Sequence, residues 1–194
     1  MKAPGLLAAV LSIAYLSAAA GQESAAAKPY DVDEAYRVYS VLLPHEESYG
    51  FAKGTVVIQQ ETVSDQHAAG ACLTAEAAEK FKDAISDFDR ADGKPLILQR
   101  QFALQKPYQL VSSAAIKLSF KEQGADWDGF YKSHPGSGGF LVLSAVGFNK
   151  DKTLAIVYVG SACGNLGGRW GFHLLEKVGG MWQRAPGISC ITVS

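Results

Sequence analysis

Two hydrophobic periods divide the chain. Early on, apolar residues recur every three or four positions. In the last third they alternate or run together. Val32, Ala35, Tyr36, Tyr39 and Leu43 fall on one helical face, with Asp31 as cap, Asp33 and Glu34 in the first turn, and Pro44 as the stop. Residues 53–63, KGTVVIQQETV, are rich in β-branched side chains and predict a strand, and SDQHAAGACL predicts a loop. Thr74 caps a second helix with Ala77, Ala78, Phe81, Ile85 and Phe88 as its stripe, and Asp92-Gly93 ends it. PLILQRQF, 95–102, predicts another strand, and KPYQLVS continues extended. Asp126 opens a short helix over Trp127–Ser133, closed by Pro135-Gly136.

Four extended runs follow: GFLVLSAVGF, TLAIVYVG, RWGFHLLEK and MWQRAPGISC. Asn149-Lys150-Asp151, a glycine-rich corner and Gly179-Gly180 separate them. Such short connections join antiparallel neighbours, because parallel strands need a long crossover. The predicted fold is α+β: an antiparallel sheet with a C-terminal four-strand meander and helices packed on one face.

The termini change the picture. Lys2, an apolar run from Leu6 to Leu16 and Ala18-Ala19-Ala20 have the layout of a signal peptide over residues 1–20. Residues 21–29 read as a flexible leader and 30–194 as a single domain. A secreted or periplasmic, soluble protein is expected, with no membrane span after the signal is removed. A formal net charge of −1 leaves no basic footprint for nucleic acid.

Cys72, Cys163 and Cys190 are the three cysteines. Export permits a disulfide, and an odd count leaves one thiol over. The expected bridge is Cys163–Cys190, which ties the glycine corner to the last strand and is worth about 3 to 4 kcal/mol in the chain-entropy model. Pairing of Cys72 with either partner is the rival.

The segment from Trp127 to Gln183 carries F-Y-x-x-x-P, S-x-V-G-F-N-x-D-x-T-x-A-x-V-Y-V, C-G-x-L and L-L-E-K before a glycine turn and Trp. In this it resembles a family of uncharacterised exported bacterial proteins, and FALQKPYQLVS upstream agrees. In that pattern a second cysteine often stands where this chain has Gly167. The resemblance implies no particular activity. The terminal hairpin also looks like cystatin-like and NTF2-like α+β domains, an analogy of fold alone.

Candidate chemistry is sparse. His45, His67, His134 and His173 show no metal-ligand spacing, so no metal is expected. Residues 50–55, GFAKGT, lack the ending of a phosphate loop, and no cofactor is expected. Ser137 follows a helix and precedes a strand, the reverse of a nucleophile elbow. Cys163 with His173 is the one thiol–imidazole candidate, and Arg169 offers it a positive field. Against catalysis stands the ordinary use of such a corner: glycines for the bend, cysteine for a bridge. Arg169, Trp170, Glu61 and Tyr158 are the candidate ligand-binding residues. The expected function is non-catalytic binding of a small molecule or a protein partner. The alternative is a thiol-dependent enzyme using Cys163 and His173.

Overall fold

The computed structural model describes residues 27–46, 54–64, 72–91, 93–121, 126–164, 167–186 and 190–193. The expected signal peptide, the first part of the leader and most of the loop before Cys72 lie outside them. In chain order the elements are β1 (Pro29–Tyr30), α1 (Asp33–Glu46), β2 (Val56–Gln59), α2 (Ala75–Lys80), α3 (Lys82–Ala91), β3 (Ile97–Leu98), β4 (Tyr108–Val111) and α4 (Ser113–Lys121). Then come α5 (Trp127–Ser133), β5 (Phe140–Leu143), β6 (Gly147–Phe148), β7 (Leu154–Cys163), β8 (Gly167–Val178), β9 (Met181–Arg184) and β10 (Cys190–Val193).

Helix starts follow local chemistry. The Thr74 side chain accepts the Ala77 N–H, and Asp126 accepts those of Asp128 and Gly129, so each satisfies donors that a first turn leaves open. Two expectations shift. Helix α1 runs two residues past Pro44, and the expected second helix breaks at Phe81 into α2 and α3. Helix α4 was not anticipated. Its first N–H groups are taken by Ser112 Oγ, from Ala115 at 3.2 Å, and by the Glu61 carboxylate, from Ser113 at 2.7 Å. Half of that cap comes from 52 residues away.

The long β7–β8 hairpin is the spine of the sheet. On its β7 side lie β5 and β6; on its β8 side lie β9 and β10. The α+β class and the meander through β5, β7, β8 and β9 hold. The fully antiparallel expectation does not: β2 runs parallel to both β4 and β5, so the sheet is mixed. The reason lies in the connections. Helices separate β2 from β4 and β4 from β5, which supplies the crossovers that parallel neighbours require.

Helices also cover both faces rather than one. Ala155, Val157 and Val159 of β7 join the core beneath α1, with Tyr36, Val38, Tyr39 and Leu42. Their neighbour Ile156 points the other way, to Phe81, Ala84 and Phe88. Val57 faces Ile116 of α4 and Phe130 of α5 on that same side.

The disulfide differs from the expected one. Cys190 bonds to Cys72, with Cα atoms 5.8 Å apart, not to Cys163. Register explains why. Cys163 lies opposite Gly167 at the hairpin end, whereas Cys190 lies opposite Phe172 on the far side of β8. Five residues of strand and two strand spacings separate the two cysteines, roughly 19 Å, and a bridge needs Cα atoms within about 7 Å. The glycine-rich stretch is therefore the end of a hairpin and has no covalent brace to β10. Gly164 turns it, with φ of 63°.

Candidate functional site

The sequence candidates do not converge. His173 sits opposite Val157, six residues along β8 from Gly167, the partner of Cys163. That places the imidazole and the thiol about 20 Å apart along the strand. His173 is buried, and its pKa is lowered to about 3, first by desolvation and then by the Arg184 and Arg169 cations. An imidazole held neutral in this way does not draw a proton from a remote thiol.

Arg169 and Trp170 are consecutive on β8 and so face opposite sides of the sheet. The Trp170 indole lies across Gly160, where a Cβ would stand 2.5 Å from Trp170 Cδ1. The glycine is there to make room for the ring. Tyr158 shares that face and packs edge-on against Phe172 at 5.3 Å. Glu61 caps α4, as described above. Three of the four thus have packing or capping roles, and Arg169 and Trp170 lie on opposite faces of the sheet.

A groove lies elsewhere, between α3 and the turn joining β6 to β7. It is an open groove of about 640 Å³. Val32 and the exposed edges of the otherwise buried Tyr30, Val146 and Phe148 form its apolar floor. Asp83, Asp87 and Arg90 stand on the α3 wall, and Lys150 and Lys152 on the turn wall.

A β-bulge builds this groove. Leu143 pairs with Val159 and Gly147 with Ile156, so four steps on one strand match three on the other. The extra residue bends the chain at Ser144–Val146. Ser144 Oγ accepts the Tyr158 N–H at 2.8 Å and donates to the Ala145 carbonyl at 2.7 Å, which holds the bend. Beyond it, the N–H groups of Val146 and Phe148 point away from β7. Val146 donates to Tyr30 Oη at 3.0 Å and Phe148 to Asp87 Oδ2 at 2.9 Å. The other Asp87 oxygen accepts from Arg90 Nη2 at 3.0 Å. Burial pushes the Tyr30 phenol up to about 12, against the opposing effect of the Val146 hydrogen bond, so it stays protonated.

The turn is equally well tied. Asn149 Oδ1 accepts from the Thr153 and Leu154 N–H groups at 2.8 and 2.9 Å, and Nδ2 donates to Thr153 Oγ1 at 3.0 Å. Lys152 takes a left-handed conformation, φ 51°, and its N–H donates to the Asn149 carbonyl at 3.0 Å. Lys152 Nζ stands 6.0 Å above the Phe148 ring.

Sequence reading did not find this site. One signal was present: Asp83, Asp87 and Arg90 recur at helical spacing on one face. The rest was not, because Tyr30 and Val146 meet across 116 residues.

Among the described residues, no group of three or more His, Cys, Asp or Glu side chains is placed to hold a metal. No described helix is long and apolar enough to cross a membrane. Compared with known proteins, the chain matches no family model, no curated sequence and no solved structure.

Proposed function

We propose that this chain is an exported, non-catalytic domain that binds a small molecule in the groove between α3 and the β6–β7 turn. The groove itself carries the reading: an apolar surface of Tyr30, Val146 and Phe148 beneath charged walls, large enough for a compact ligand. No histidine or cysteine lines it. An extended peptide suits it less well, because a docking strand pairs with free main-chain groups and the Val146 and Phe148 N–H groups are already bonded. Export is supported by the signal-like leader, by the Cys72–Cys190 bridge and by the resemblance over residues 127–183.

The test is a fragment screen followed by amide NMR, comparing the wild type with Ser86→Trp. Ser86 is exposed on the α3 wall, so an indole there fills the groove without disturbing the core. Ligands should shift the Val146, Phe148 and Asn149 amides in the wild type and lose binding in the variant. Ligands that bind the variant equally well would sink the proposal.

A further inference from the structure

The groove's charges are not evenly spent, and their imbalance names a ligand class. Asp87 and Arg90 neutralise each other at 3.0 Å, and the second Asp87 oxygen is taken by the Phe148 N–H. On the turn wall, Lys150 and Lys152 are two exposed cations two residues apart, and Asp151 between them does not line the groove. Among the residues lining the groove, Asp83 is the acid left to oppose them, and it stands on the α3 wall. The Asn149 carboxamide and the left-handed Lys152 fix the turn that carries both lysines. Two like charges on one rigid turn repel each other, and an anion placed between them relieves that repulsion. Directly beneath is the Phe148 ring, with Tyr30 and Val146 beyond it.

We infer that the groove takes a small organic anion, a carboxylate or phosphate monoester on a ring-sized apolar body, with the anionic group at Lys150 and Lys152 and the body against Phe148 and Tyr30. This rests on the groove being the binding site, as proposed above. Lysine suits either head group, because its ammonium acts as a point charge rather than a planar fork.

Three probes with one ring and different heads separate the possibilities: phenyl phosphate, benzylamine and benzyl alcohol. Each is titrated into the full chain labelled with nitrogen-15, at low and high salt. Phenyl phosphate should shift the Phe148, Lys150 and Lys152 amides saturably, and added salt should weaken it. The Lys150→Glu/Lys152→Glu double variant should lose about tenfold or more in affinity. Lys150→Glu alone should lose part of it, which keeps the test readable if the double variant folds poorly. Benzylamine or benzyl alcohol binding in the groove as tightly as phenyl phosphate would overturn the anion assignment and leave the groove standing. Phenyl phosphate binding unchanged in the double variant would overturn it too. If none of the three probes moves a groove amide, the inference and the groove reading fall together.

Discussion

Trp182 Nε1 donates a hydrogen bond of 2.7 Å to Glu34 Oε1, joining the first turn of α1 to β9 across 148 residues. The same carboxylate oxygen accepts from Lys177 of β8, whose ammonium stands 4.8 Å from the centre of the Trp182 ring. Arg37 approaches the other oxygen at 3.5 Å. One carboxylate thus clamps the first helix to the last hairpin.

Glu34→Gln should destabilise the fold by roughly 1 to 2 kcal/mol, because it leaves a half-buried ammonium short of its counter-charge. Burial alone raises the Glu34 pKa. The Lys177 and Trp182 hydrogen bonds and the Lys177 and Arg37 charges outweigh it and hold the pKa below the usual range. A depressed carboxylate contributes stability above its unfolded pKa and loses it as pH falls through the folded one. Urea unfolding from pH 7 to pH 3 should therefore show the gap between wild type and variant closing on acidification below about 4. A gap that stays constant would refute the clamp.

His173 has the opposite charge type but the same direction of pH dependence. Its folded pKa of about 3 lies below the usual 6.5. Between those values the unfolded chain binds a proton that the folded chain does not. Stability from this group is complete above about pH 6.5 and falls by up to roughly 1.4 kcal/mol per pH unit below it. Imidazole NMR signals of His173 should show no titration from pH 7 to pH 4, and His173→Gln should flatten the stability profile in that range.

Cys72→Ser should cost about 2 to 5 kcal/mol, since the bridge closes a loop with a sequence separation of 118. Cys163→Ser should leave the bridge intact. Peptide mapping without reductant decides the matter: a fragment joining residue 72 to residue 190 is expected, and one containing residue 163 would contradict the register described above.

Gly160→Val should be destabilising by about 1 to 3 kcal/mol through overpacking. Its new atoms have no room beside Trp170 Cδ1 and Val142 Cγ2, at 2.5 and 2.6 Å from the Cβ position. Near-UV circular dichroism and tryptophan emission should change with it. A variant as stable as the wild type, with unchanged emission, would mean the indole does not lie over this glycine.

The elements that read correctly are those whose causes are local. The turns at Asn149 and at Gly179-Gly180, the caps at Thr74 and Asp126 and the stripe of α1 each depend on residues within a few positions of one another. Helix α4 escaped notice because its stripe is short and Glu61 caps it from outside. The sheet was read as antiparallel because only its last third has short turns. Trp170 and Arg169 look like neighbours on paper, yet strand alternation sends them to opposite faces.

By itself the sequence determined most of the helices, the C-terminal hairpins, the α+β class and the presence of three cysteines, because periodicity, capping and turn chemistry act over a few residues. Only the tertiary structure decided which sulfurs meet, which strands run parallel and where the groove opens. Those outcomes depend on register, on a one-residue bulge at Ser144–Val146 and on a tyrosine meeting a backbone amide 116 positions away, and no local pattern encodes such meetings.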